Sequence, residues 1–113
     1  MRSLFVTLVG VALATSVVAA QDAAKIAAGQ KVYAAQKCST CHAIKGAGMK
    51  THPLDGVGAK LSEADVRKWF TNTAEMEGKL AKKPNMSMAG WMKSKKLSDA
   101  DVDALTAYMM SLK

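Results

Sequence analysis

Five consecutive residues hold the most distinctive chemistry of this sequence: Cys38-Ser39-Thr40-Cys41-His42. Two thiols at that separation can each add to a vinyl group on one porphyrin edge, and an imidazole directly after them is brought beneath the iron. The C-x-x-C-H spacing therefore predicts covalent attachment of one haem c. Placed on a single helical turn, positions three and four apart share a face, which would set Cys38 beside both Cys41 and His42. His42 is then expected to be the proximal iron ligand, bound through a neutral ring nitrogen. A small chain built around such a haem predicts a one-electron carrier and no catalytic residues, since no distal acid/base constellation of the peroxidase kind can be identified.

Other uses of two cysteines compete with this one. A thiol-disulfide oxidoreductase places its activated thiolate at a helix N-terminus after a strand, and no β-branched strand precedes Cys38. A zinc site needs four ligands, and the chain offers two Cys with His42 and His52. A structural disulfide remains open on the sequence alone.

Three amphipathic segments are available to position the motif. Over residues 22–36, Ile26, Gly29 and Tyr33 share one face, with Gly29 tolerated there if another backbone crosses closely. Over residues 62–72, Ser62 can cap and Asp65 sits in the first turn, while Val66, Trp69 and Phe70 form the inner face. Over residues 98–112, Ser98 and Asp101 repeat that arrangement, Asp99 suits the positive end of the dipole, and Val102, Leu105, Tyr108, Met109 and Leu112 make an apolar stripe. Strand patterns are absent, so the expected class is all-α. Two loops connect the segments, a Gly-rich one over residues 45–60 that holds Pro53 and one over residues 73–96. The second contains Pro84 and four of the chain's eight Met residues, and can lie as a lid on the far side of a haem.

Residues 1–20 read as a cleavable secretory leader, with Arg2 as the positive region, Leu4 to Ala14 as the apolar run and Val18-Ala19-Ala20 as the small-residue cleavage signal. The apolar run is near the lower limit for a spanning helix and is weakened by Thr7, Gly10, Thr15 and Ser16, which favours cleavage over a retained anchor. The expectation is export to the periplasm, with residues 21–113 forming one soluble domain that is not an integral membrane protein. That mature chain has fifteen basic against nine acidic side chains, a net charge of +6. Interspersed charge, a single Arg and few aromatics exclude nucleic acid as a natural partner and leave redox proteins with an acidic docking face. A chain this short has a limited core, so a covalent haem would fill its middle and an apo form should be unstable.

Taken together these features resemble the class I c-type cytochromes, small monohaem proteins in which the N- and C-terminal helices cross beside the haem. Gly29 and Tyr33 look like the family's Gly-x-x-x-aromatic helix, and Leu105-Thr106-Ala107-Tyr108 is similar to its L-x-A-Y in the final helix, which implies that Gly29 packs against an aromatic. Pro53-Leu54 before Gly56-Val57-Gly58 looks like the family's G-P-x-L segment. The resemblance makes the Pro53 carbonyl the acceptor that orients His42. The pattern departs in three places: His52 stands where Gly is usual, the step from Pro to Leu is one residue short, and Lys60 sits near the usual Arg. Trp69 resembles an indole that approaches a propionate, and plain core packing suits it equally. For the distal ligand, Pro84-Asn85-Met86-Ser87-Met88 resembles variants with the ligand four residues past Pro, which selects Met88. Alignment of Met86-Ser87-Met88-Ala89-Gly90 with M-x-F-A-G selects Met86, and Met92 is a third candidate. A second axial His from His52 is within reach, since ten residues extend up to about 33 Å, but with Pro53 on the proximal side His52 falls on the wrong face.

These features imply an exported electron carrier. The alternatives are a gas-binding or sensor haem protein with an open or labile sixth position, and then a thiol-disulfide oxidoreductase.

Overall fold

Helix α1 is longer than its apolar periodicity predicts. In the computed structural model, which describes residues 12–113, α1 runs Ala12–Ala35 without interruption. Its added turns are rich in Ala, the residue that loses least on entering a helix, and their backbone passes through the position expected for leader cleavage. Residues 1–11, which hold most of the expected leader, lie outside the described residues. No helix among the described residues is long and apolar enough to cross a membrane.

A left-handed backbone at Lys37 (φ 56°) turns the chain out of α1 into a 3-10 turn, Cys38–Thr40. The next segment departs from the all-helical expectation in detail. Three very short strands, β1 (His42–Ile44), β2 (Ala47–Gly48) and β3 (His52–Pro53), form a sheet in the order β2-β1-β3. Strand β2 runs antiparallel to β1, and β3 runs parallel to it with His42 opposite His52 and Ala43 opposite Pro53. Asp55 secures this excursion, its Oδ1 accepting from the Lys45 amide at 2.8 Å.

The remainder is helical: α2 (Val57–Lys60), α3 (Glu63–Thr71), α4 (Thr73–Gly78), α5 (Met88–Lys93) and α6 (Asp99–Ser111). Two of these start where the capping residues say they should. Ser62 Oγ accepts from the Asp65 amide at 3.1 Å, and Ser98 and Asp101 form a reciprocal capping box at 3.1 and 3.2 Å. The lid expected over residues 73–96 is not a plain loop, since α4 and α5 lie within it.

Helices α1 and α6 cross at Gly29. A Cβ there would lie 2.6 Å from Tyr108 Cβ and closer still to the Ala104 carbonyl oxygen, so only glycine lets the backbones approach this far. One turn on, Tyr33 meets Tyr108 edge to face with ring centroids 5.8 Å apart. Helix α2 docks on the end of α6 through a second close approach, with the Gly58 amide donating to the Leu112 carbonyl at 2.8 Å. Arg67 of α3 and Asp103 of α6 join those helices by an ion pair of 2.6 Å. Ile44, Val66 and Met109 form the buried centre, with Tyr33, Leu54, Val57, Leu61 and Phe70 packed against it. That cluster is small for the six helices among the described residues.

Candidate functional site

The Cys-His motif does not lie on one helical turn. Cys38 opens the 3-10 turn, Cys41 closes it with its amide donating to the Cys38 carbonyl, and His42 is already the first residue of β1. The tighter turn followed by extended backbone still converges, because Cys38, Cys41 and His42 line one cavity of about 590 Å³. Met86, Met88, Met92, Trp69, Phe70, Trp91 and Leu105 complete much of its wall. A second cavity of about 240 Å³ shares Cys38, His42, Trp69, Phe70, Met88 and Leu105 with the first, and is closed by Leu54, Val66 and Met109. The two form one apolar cleft between α3, α6 and the Met-bearing segment.

The His42 ring is fixed by the sheet. Its Nδ1 lies 2.9 Å from the His52 carbonyl oxygen, which can only accept, so Nδ1 carries the proton and Nε2 keeps its lone pair for a metal. This corrects the role implied for Pro53. The parallel β1–β3 pairing puts the carbonyl of His52 beside the imidazole, one residue earlier than the family pattern, and Pro53 is an exposed residue paired with Ala43 that lines neither cavity. Burial holds the His42 imidazole below its usual pKa, and the neighbouring His52 ring adds to this, while the hydrogen bond to the His52 carbonyl opposes it. A neutral imidazole is the form that binds iron.

Cys38 and Cys41 are unbridged and half-buried. Burial pushes the Cys38 thiol above its usual pKa, with nearby Lys95 opposing the shift. An activated oxidoreductase thiol is displaced the opposite way. Among the described residues no group of three or more His, Cys, Asp or Glu is placed to hold a metal ion.

The residues present fit a covalently held haem. Two unbridged thiols, an imidazole with its far nitrogen committed, and a largely apolar cleft supply attachment, ligation and burial together. His42 and one methionine would hold the iron, and Cys38 and Cys41 the porphyrin edge. Met88 is half-buried and lines both cavities, whereas Met86 is 66% exposed and, like Met92, lines only the larger one. Trp69 lines both cavities and is half-buried, its carbonyl accepting from Thr73 Oγ1 at 2.7 Å. The His52 ring, with its centroid 6.3 Å from that of His42, borders the same cleft from an exposed strand.

Several lining residues escape a reading of the sequence. Trp91 sits on a helix of six residues, too short to show a period, and carries the Lys95 ammonium 4.5 Å from its ring centroid. Glu77 of α4 also borders the larger cavity. Its carboxylate accepts from Ser87 Oγ at 2.9 Å and from the Ala89 amide at 3.2 Å. Serine at a helix start was a usable signal for Ser87, whose Oγ accepts from the Gly90 amide at 3.1 Å.

A family model for cytochrome c matches residues 26–113, which takes in the motif, the part of α1 that crosses α6, all of α6 and the residues that line the cleft. The chain belongs to the cytochrome c family. Searches of curated proteins and of solved structures returned no match. Membership implies haem binding, electron transfer and a covalently bound haem c, with redox proteins as the family's usual partners, and the spacing of Cys38 and Cys41 before His42 fits the C-x-x-C-H attachment motif.

Proposed function

We propose that the protein is an exported, soluble carrier of single electrons between redox proteins, with one haem c ligated by His42 and Met88. The observation that carries this reading is one cleft lined at once by both thiols, by the oriented His42 and by Met88. When bound, the haem supplies a reversible one-electron couple, and a thioether on the iron favours the ferrous state. The chain's own part is to keep the ligands in place and the porphyrin largely out of water.

The rim supports a protein partner. Leu80 and Met86 are exposed apolar side chains at the larger cavity, and Lys82, Lys83, Lys93 and Lys96 are exposed nearby in sequence. Two further lysines of this part of the chain are otherwise engaged: Lys79 Nζ pairs with Glu75 at 3.4 Å, and Lys95 lies over Trp91. An acidic docking face is the complement we propose for the rest.

Two measurements on protein matured with haem test the assignment. Intact mass after acid and acetone extraction should exceed that of the polypeptide by one haem, and replacing both Cys38 and Cys41 with Ala should abolish the increment. The weak iron-thioether charge-transfer band should be present, vanish in Met88→Ala and persist in Met86→Ala. A ferric protein without that band in the unaltered chain would favour the sensor reading with an open sixth position.

A further inference from the structure

We propose that Glu77 is a positioning residue for the sixth iron ligand, its carboxylate bracketing the Met88 backbone and holding the thioether in the cleft. This rests on the assignment of Met88 above. Met88 is the first residue of α5, a helix of only six residues, and residues 80–87 before it are neither helix nor strand. So short a helix has little intrinsic stability, and the segment in front of it supplies no ladder of main-chain hydrogen bonds. Something outside the segment must fix it.

Glu77 Oε2 does so from both sides. It accepts from the hydroxyl of Ser87 and from the amide of Ala89, the residues immediately before and after Met88. An ionised acceptor makes stronger bonds than a neutral one, and two donors flanking one residue restrain both its position and its direction. The carboxylate is itself anchored, because α4 buries Thr73 and Met76, and Thr73 Oγ1 donates to the Trp69 carbonyl of α3. A continuous set of contacts thus runs from α3 through α4 and Glu77 to the Met88 backbone.

Glu75, two residues earlier on α4, provides the internal comparison. Its carboxylate is occupied by Asn72 at 2.5 Å and Lys79 at 3.4 Å, neither of which belongs to the ligand segment. Both acids carry the same charge on the same helix. Of the two, Glu77 is the one that bonds to the ligand segment.

An external base that takes the sixth position must displace Met88, so its apparent affinity scales with the fraction of molecules in which the thioether is off the iron. The experiment is an imidazole titration of the ferric, haem-loaded full chain. Losing two charge-assisted hydrogen bonds should raise imidazole affinity by about tenfold or more in Glu77→Ala and weaken the iron-thioether band. Glu77→Gln, which keeps the side-chain shape with a neutral acceptor, should fall between Glu77→Ala and the unaltered protein and serves also if the alanine variant folds poorly. Glu75→Gln should leave imidazole affinity unchanged. A Glu77→Ala or Glu77→Gln protein with a lower unfolding midpoint but unaltered imidazole affinity would show a merely structural acid and overturn the proposal, as would an equal effect from Glu75→Gln. A thioether band that survives Met88→Ala overturns the ligand assignment and the Glu77 role together. Loss of the band in Met88→Ala with a silent Glu77 overturns the Glu77 role alone.

Discussion

Thr106 is 1% exposed, and its hydroxyl has no hydrogen-bond partner among the described residues. A hydroxyl buried without a partner is destabilising relative to an apolar group of the same shape. Thr106→Val should therefore raise stability by about 1 kcal/mol, read as a higher denaturant midpoint at unchanged slope, because Val and Thr have similar helix propensities. A lower midpoint would mean that the hydroxyl is satisfied when the haem is in place. Tyr33 is a related case at the cleft wall. Its hydroxyl is also buried and unpartnered among the described residues, and burial first, then Cys38, Tyr108 and Asp55, push its pKa up to about 12. The neutral phenol is favoured by folding, so its contribution is complete below the ordinary tyrosine pKa near 10 and is lost as pH rises toward 12. At this scale the motif was legible, since Cys38, Cys41 and His42 are recognised by type and spacing. The carbonyl that orients His42 was not. A backbone acceptor has no residue type, and only the parallel register of β1 and β3 decides that it belongs to His52.

The crossing of α1 and α6 depends on the missing side chain of Gly29. Adding a methyl there sets a carbon against the Ala104 carbonyl and Tyr108 Cβ, both on the helix framework, so the helices must separate. Gly29→Ala should destabilise the protein by about 1 to 3 kcal/mol despite the better helix propensity of alanine. The check is the urea midpoint, and a midpoint at or above that of the unaltered protein would show that the crossing can relax. This element pair was readable in advance because Gly and aromatic residues fell on one face, and α3 and α6 were readable because Ser62 and Ser98 announce their starts. The sheet and the short helices α4 and α5 were not. Strands of two or three residues and helices of six carry no measurable period, and they exist here through long-range partners such as Asp55 and Glu77.

For the molecule as a whole, charge and cavity set the behaviour. With a sequence pI near 9.6 and exposed lysines near the cleft, encounter with an acidic redox partner should be steered electrostatically. The bimolecular electron-transfer rate should fall by about tenfold or more as salt rises from about 0.01 M to about 1 M, where the screening length shrinks from about 30 Å to about 3 Å. Stopped-flow traces across that series, with Lys82 and Lys83 changed to Glu, provide the check. Insensitivity to both salt and charge reversal would remove the lysines from the docking face. The overall class was legible because haem proteins of this size must be built around the cofactor, whereas the large cleft is visible only in three dimensions. The Gly29 crossing has one more consequence, for the order of assembly. Gly29 and Ala104, where the backbones meet, line neither cavity of the cleft, so their contact does not depend on what fills it. Bringing together residues so far apart along the chain costs roughly 4 kcal/mol in loop-closure entropy, which close helix packing can offset. The chain can thus dock its first and last helices before the cleft is filled, so the contact that joins its two ends does not wait on the cofactor.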